Sequence, residues 1–163
     1  MFPSDIEAAA ERVVAKLRAA GLKVATAESC TGGLIAGAIT SVAGSSDVFD
    51  QGFVTYANSA KIAMIAVDAG LIEVHGAVSA EVGRAMAEGA LKTAAADVAV
   101  AVTGIAGPGG AMPGKPVGLV FIALASRKAA THVQRFEFGD IRREGVRLAT
   151  VREALKILER AGE

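Results

Sequence analysis

The segment 22–42 constrains the fold more than any other part of the chain, because it joins a short apolar run to a helical pattern through a polar turn. The run 22–27 has the length of a buried strand, and apolar residues recur at helical spacing after Gly32 and Gly33. Such a turn directs unpaired N–H groups and the positive end of the helix dipole towards one point. The segment therefore suits an anion, or a nucleophile together with its oxyanion.

The turn itself carries Glu28, Ser29, Cys30 and Thr31. Taken alone, these residues favour a simple helix cap at Ser29 or Thr31, since both residue types are common N-caps. Cys30 is a second possible nucleophile beside the glycine-rich helix start. A catalytic interpretation requires partners elsewhere in the chain.

Composition limits the classes of protein to consider. The 163 residues are 52% hydrophobic and fit one domain over 1–163, while 17 basic and 17 acidic residues balance. We therefore expect no nucleic-acid or anionic-membrane partner. Cys30 is the only cysteine, no signal peptide is visible, and no apolar run approaches the ~20 residues that span a bilayer. These features predict a cytoplasmic protein.

The remaining patterns alternate helices and strands, and then end in a hairpin and a helix. Ser4 and Glu7 form a capping-box pattern for a first helix that Gly21 ends, and Asn58 and Ser79 are predicted N-caps of later helices. The other predicted elements are strands at 52–56, 98–102, 117–125 and 131–138, helices at 58–67 and 79–95, turns and a short connector at 68–78, and a last helix after 139–140. This order predicts a three-layer α/β/α sandwich with a mixed, mostly parallel sheet and a late antiparallel hairpin.

Three predicted strand ends carry polar residues towards helix starts or a glycine loop. They are the turn at Ser29, the segment from Tyr56 to Lys61, and Thr103 with the loop 104–110. If these strands share one sheet edge, a hydroxyl, a phenol and a primary amine converge there. A nucleophilic serine needs a base, and with no suitable histidine the candidate is Lys61.

Lys61 alone is more simply explained as a surface lysine. To act as a base it needs a pKa well below the usual value of about 10.4. Burial, two helix N-termini and a nearby arginine are the expected causes of such a shift. The two histidines, His75 and His132, stand apart and have no spaced acidic partners, so we predict no metal site.

Several short blocks together resemble the signature of the CinA C-terminal domain family, which includes stand-alone nicotinamide mononucleotide deamidases. The blocks are AESCTGG at 27–33, GFVTYAN at 52–58 with Lys61, HGAVS at 75–79 and TGIAGP at 103–108. They stand in family order across essentially the whole chain. The resemblance implies an amidohydrolase that converts nicotinamide mononucleotide to nicotinate mononucleotide and ammonia, without a cofactor.

The resemblance also implies roles for individual residues. Ser29 would be the nucleophile, Lys61 the general base and then acid, and Tyr56 a hydrogen-bonding aid to that pair. The family's essential arginine lies in a G-D-R-x-x-V-R motif, from which this chain departs by being longer after Asp140. Anchoring on the final Val-Arg selects Arg143, whereas counting from Asp140 leaves Arg142 possible.

The expected substrate contacts come from the two glycine-rich turns and the second strand end. N–H groups at the helix start would hold the oxyanion, and Arg143 with the glycine loop would hold the phosphate. Residues assigned to substrate binding are Thr31, Gly32, Gly33, Asn58, Thr103, Gly104, Ile105, Ala106 and Gly107. Ala57 and Gly109 differ from the residues common in the family.

Two other functions remain open from sequence. One is a non-catalytic nucleotide-binding module related to competence or damage induction, and the other is an amidase acting on a different amide. A homo-oligomer is expected, because the alanine-rich helix and the apolar composition leave surface to bury.

Overall fold

The computed structural model describes residues 1–162, and its central sheet confirms the predicted α/β/α class. The strands are β1 (Val24–Glu28), β2 (Phe49–Val54), β3 (Val98–Gly104), β4 (Leu119–Ser126) and β5 (Ala129–Glu137). Their order in the sheet is β2-β1-β3-β4-β5. Strands β2, β1 and β3 are parallel to one another, while β4 and β5 form the predicted antiparallel hairpin beside β3.

Within residues 1–162, six α-helices cover the two faces of this sheet. They are α1 (Ser4–Ala20), α2 (Leu34–Thr40), α3 (Asn58–Ile65), α4 (Ala69–His75), α5 (Ala80–Thr93) and α6 (Arg142–Ala161). Helices α1, α2 and α6 contribute to the core on one face, and α3, α4 and α5 to the core on the other.

Successive side chains of β3 point to opposite faces of the sheet and so contribute to both hydrophobic cores. Val98, Val100 and Val102 belong to the core beneath α1 and α6, whereas Ala99 and Ala101 belong to the core beneath α5. Strands β1 and β3 lie near the centre of the sheet and are buried on both faces, which is why their sequences consist largely of valine and alanine. The strongly predicted strands are thus the central ones.

Three local predictions differ in kind from the structure, one cap is as expected, and β2 covers Phe49–Val54 rather than 52–56. The predicted capping box at Ser4 is wrong, since Pro3 is the N-cap of α1 and its carbonyl oxygen accepts from Ile6 and Glu7 N–H. Asn58 is the first residue of α3 rather than its cap, which is Ala57. Ser79 does cap α5, through a hydrogen bond from Val82 N–H to its hydroxyl.

The third difference is helix α4, which occupies most of the segment predicted as turns and a connector. The Asp68 carboxylate accepts a hydrogen bond from Leu71 N–H and so caps the helix. Gly70 in the first turn and Gly76 at its end made this short helix resemble a loop in sequence.

Candidate functional site

Parallel pairing brings the three polar strand ends to one edge of the sheet. Strand β1 pairs with β2 on one side and with β3 on the other, and all three run in the same direction. Ser29 follows β1, Tyr56 follows β2, and Thr103 lies near the end of β3. Their carboxyl ends therefore meet at the edge where open α/β sheets bind ligands.

Lys61 meets Ser29 at this edge. Lys61 Nζ lies 3.2 Å from Ser29 Oγ, 2.9 Å from the Thr55 carbonyl oxygen and 3.3 Å from the Tyr56 carbonyl oxygen. The lysine is only 1% exposed, because it lies one helical turn before Ile65 on the inward face of α3. The surface-lysine explanation is therefore wrong.

Burial lowers the pKa of Lys61 from its ordinary value of 10.5, because desolvation penalises the charged ammonium. A smaller electrostatic effect of Cys30 acts in the opposite direction. Of the causes expected for a lowered pKa of Lys61, burial is therefore the one that acts. The α2 N-terminus cannot supply the predicted push unopposed, since a buried carboxylate occupies it.

That carboxylate is Glu28, the last residue of β1, which is 1% exposed. One of its oxygens accepts from Thr31 Oγ1 at 2.6 Å, Gly33 N–H at 3.1 Å and Ile35 N–H at 3.0 Å. The other accepts from Ala36 N–H at 2.8 Å. Glu28 thus caps α2 from the preceding strand and offsets its dipole.

These contacts show which donors of the turn are already used within the fold. The Thr31 hydroxyl and the Gly33 N–H are used by Glu28, and the Gly32 N–H donates to the Ser29 carbonyl oxygen at 3.0 Å. Two N–H groups of the turn, those of Cys30 and Thr31, have no acceptor in another residue within 1–162. An oxyanion would be held by these two rather than by the glycines.

The Cys30 thiol is a poor nucleophile in this environment. It is 5% exposed, and burial raises the pKa of the thiol to about 12. The thiolate, which is the reactive form, is therefore absent near neutral pH. Ser29, which is only half-buried and touches the lysine, is the better candidate.

Arg143 joins the second strand end to the glycine loop. Its Nη2 donates to the Tyr56 hydroxyl at 2.6 Å, and its Nη1 donates to the Gly107 carbonyl oxygen at 3.0 Å. Arg142 is exposed and takes a positive φ of 68°. The structure therefore brings Arg143, and not Arg142, to the predicted site.

The first part of the glycine loop is committed to packing and strand pairing. Gly104 ends β3 against β4, where a Cβ would stand 2.6 Å from Val120 Cγ2, and Ile105 N–H donates to the Leu119 carbonyl oxygen. Ile105 and Ala106 are both buried. Gly104, Ile105 and Ala106 were assigned to substrate binding, but the fold already uses these residues for packing and strand pairing.

No hydrogen bond within residues 1–162 joins Thr103 or Asn58 to Ser29. Thr103 is buried and its hydroxyl donates to the Ala77 carbonyl oxygen at 2.7 Å, so it ties β3 to the segment before α5. Asn58 is exposed at the start of α3. Gly107 does reach the site, through its carbonyl oxygen.

Two contributions to the site lacked a clear sequence signal. The Thr55 carbonyl oxygen is a backbone group, and the connection from β2 to α3 places it beside Lys61, six residues further along the chain. Arg147 is one of three arginines within six residues of sequence, with Arg142 and Arg143, and nothing in that pattern distinguishes it; yet it donates to two carbonyl oxygens of the Ser29 turn. The capping role of Glu28 could have been suspected, since acidic residues are favoured near helix N-termini.

Residues 1–162 contain no group of three or more histidine, cysteine, aspartate or glutamate side chains that could hold a metal ion. Over the same range, no helix combines the length and apolar character needed to cross a membrane.

The fold and this sheet edge define an α/β protein whose candidate ligand site lies beyond the carboxyl ends of parallel strands. The chain belongs to the CinA C-terminal domain family, whose model matches residues 6–161. A CinA-like protein of Citrifermentans bemidjiense is 53% identical over 161 residues, covering 98% of this chain and 38% of the relative. A putative competence-damage inducible protein of Caldicellulosiruptor saccharolyticus is 48% identical over 163 residues, with the same coverage. This chain therefore spans 38% of the length of these two relatives.

Solved structures agree with this family. The competence/damage inducible protein CihA from Agrobacterium tumefaciens is 51% identical and superposes with a TM-score of 0.97, covering 100% of this chain and 99% of that one. A CinA superfamily protein from Klebsiella pneumoniae is 36% identical with a TM-score of 0.91, covering 96% of this chain and 97% of that one.

Proposed function

We propose that this chain is a nicotinamide mononucleotide amidohydrolase that forms nicotinate mononucleotide and ammonia by a serine–lysine mechanism. The observation that carries the proposal is the buried Lys61 Nζ, 3.2 Å from Ser29 Oγ. Nucleophile and base within hydrogen-bond reach are the signature of covalent acyl transfer. The substrate comes from the family resemblance of the sequence blocks, since the names of the relatives state no reaction.

The contacts of Lys61 suit an uncharged amine that serves as a base. A neutral amine has two N–H groups and one lone pair, and carbonyl oxygens can only accept. The carbonyl oxygens of Thr55 and Tyr56 therefore use the two N–H groups. The lone pair is left for the proton of the Ser29 hydroxyl.

The reaction then follows from these groups. Ser29 Oγ attacks the carboxamide carbon as Lys61 takes the hydroxyl proton, and the N–H groups of Cys30 and Thr31 stabilise the oxyanion. As the C–N bond breaks, Lys61 returns the proton to the departing ammonia. Water, deprotonated by Lys61, attacks the acyl–Ser29 ester, and Lys61 returns that proton to Ser29 Oγ as the ester bond breaks and the nicotinate product leaves. The cationic pyridinium ring favours attack by withdrawing electrons from the amide.

Arg143 is the candidate anchor for the 5′-phosphate. Its guanidinium has five N–H donors, of which the contacts to Tyr56 and Gly107 use one on each terminal nitrogen. Arg143 is exposed, so the remaining donors are open to an anion. Tyr56 is 57% exposed beside it and forms the rim of the same site.

The test is to incubate purified protein with nicotinamide mononucleotide and to measure ammonia and nicotinate mononucleotide together. We expect equal amounts of the two products from the wild type and none above background from Ser29→Ala. Binding of the nucleotide by the wild type without release of ammonia would support a nucleotide-binding module instead. Release of ammonia only from other carboxamides would support a different amidase.

A further inference from the structure

Arg147 lies on the first turns of α6 and is half-buried against the turn that carries Ser29. Its Nε donates to the Cys30 carbonyl oxygen at 3.1 Å, and its Nη2 donates to the Thr31 carbonyl oxygen at 2.9 Å. Two consecutive carbonyl groups directly after the candidate nucleophile are thus held by one planar guanidinium. A fork of this kind fixes orientation as well as position.

The orientation of a carbonyl group fixes that of the N–H group in the same peptide. The Cys30–Thr31 peptide is trans, so its C=O and N–H groups point in opposite directions. Because Arg147 holds the Cys30 carbonyl group, the Thr31 N–H must point away from the guanidinium. That N–H is one of the two in the turn with no acceptor in another described residue.

The turn is also held by Glu28, whose carboxylate accepts from the Thr31 hydroxyl and the Gly33 N–H. The Glu28 carboxylate therefore binds donors of the turn that the oxyanion site does not need, and the Arg147 guanidinium binds the carbonyl groups of the turn. Gly32 provides the left-handed backbone that this turn requires, since its φ is +60°.

We infer that Arg147 is a positioning residue for the oxyanion site, and this inference rests on the proposed acyl-transfer function. Arg147 does not touch the substrate. It keeps the Thr31 N–H directed at the oxygen on which negative charge develops, through the carbonyl groups of Cys30 and Thr31. Its loss should therefore slow the chemical step more than it weakens substrate binding.

The experiment compares the wild type with Arg147→Ala, Arg147→Lys and Arg152→Ala. Arg152 lies on the same helix and pairs with Asp5 at the surface, so its variant is a matched control with wild-type rates. For nicotinamide mononucleotide we expect Arg147→Ala to lower kcat on the order of 10²-fold with KM changed less than about twofold. Arg147→Lys should lose roughly tenfold, because a single ammonium nitrogen lacks the planar fork whose two nitrogens hold the two carbonyl groups in a fixed orientation.

A second measurement separates this role from simple structural support. Added guanidinium ion at low millimolar concentration should restore part of the kcat of Arg147→Ala and leave Arg152→Ala unchanged. A raised KM with unchanged kcat would overturn the inference, since Arg147 would then bind substrate. Unchanged values of both constants would overturn it as well. If circular dichroism shows that Arg147→Ala does not fold, the kcat and KM of Arg147→Lys test the inference instead, by the same criteria.

The rate at which a fluorophosphonate labels Ser29, measured by intact mass, keeps the two proposals distinguishable. Labelling also builds negative charge on an oxygen bound to the attacked centre, so it should slow in the same order across the variants. If the wild type is labelled but does not hydrolyse the nucleotide, the proposed substrate fails and the labelling rates still test Arg147. If the wild type is neither labelled nor active, both proposals fail.

Discussion

Arg143 Nη2 donates to the Tyr56 hydroxyl at 2.6 Å, although the two residues are 87 positions apart in the chain. The contact links the start of α6 to the end of β2, beside the carbonyl group of Tyr56 that holds Lys61. One residue thus faces Arg143 with its side chain and the candidate base with its backbone.

The first prediction concerns this pair. Tyr56→Phe should lower kcat/KM about fivefold, the effect of losing about 1 kcal/mol from a charged hydrogen bond at an exposed site. Arg143→Ala should lower kcat/KM further, chiefly by raising KM for the phosphorylated substrate. The double variant should lose less kcat/KM than the product of the two single fold-losses, because Tyr56 and Arg143 act through the same hydrogen bond. Steady-state kinetics on the three variants measure this coupling between the two residues. Arg142→Gln should retain activity. If this variant is inactive, the family arginine is Arg142 instead.

The second prediction separates the two possible nucleophiles. Ser29→Ala should reduce kcat by roughly 10⁴-fold or more, because the atom that forms the covalent bond is removed. Cys30→Ala should keep most of the activity, since the buried thiol, with its pKa raised to about 12, supplies no thiolate. Ammonia release by both variants is the measurement, and the reverse order would assign the chemistry to Cys30.

The third prediction is a pH dependence set by Lys61. Burial lowers the pKa of this lysine below 10.5, and only the uncharged amine can accept the serine proton. The value of kcat/KM should therefore rise with pH through the lowered pKa and level off before 10.5. A rise of kcat/KM centred at pH 10.5 or above would contradict the lowering of the Lys61 pKa by burial.

The same shift gives a stability test. Between the lowered folded-state pKa and 10.5, the unfolded chain binds more protons at Lys61 than the folded chain does. The free energy of unfolding should therefore rise with pH in that window, and Lys61→Met should remove this rise. Denaturant titrations across the window, on both proteins, measure the difference.

The fourth prediction concerns the buried carboxylate of Glu28. Glu28→Gln should destabilise the fold by about 3 kcal/mol, because the amide has a single acceptor oxygen and its NH₂ group would face backbone N–H donors. The matched control is Glu11→Gln, an exposed glutamate on α1, which should change little. Urea unfolding checks both variants, and equal midpoints would contradict the capping role.

The fifth prediction tests how α3 is held in place. A Cβ at Gly89 on α5 would overlap the carbonyl oxygen of Ile65, the last residue of α3. Gly89→Ala should therefore cost about 2 kcal/mol, because backbone atoms cannot move as easily as a side chain. Gly109→Ala is the control, since no atom beyond Gly109 and its two chain neighbours lies within 4 Å of a Cβ there. Thermal unfolding should show a clear loss only for the first variant.

The sequence determined the fold class and the elements that meet at the site. Buried strands and amphipathic helices leave local periodic patterns, and the central strands β1 and β3 were predicted nearly in full because both of their faces are apolar. The polar residues at three strand ends were also readable, since each follows a strand along the chain. Short elements were not: helix α4 carries glycines at both ends and so resembled a loop.

The tertiary structure alone decided which atoms meet. Whether Lys61 faces water or Ser29, and which of two adjacent arginines reaches Tyr56, depends on how distant strands pair and how α6 packs on the sheet. The same is true of Glu28, which turned an apparently open helix N-terminus into an occupied one. Hydrogen-bond partners far apart in sequence leave no periodic trace, because their geometry is fixed only when the whole sheet has assembled.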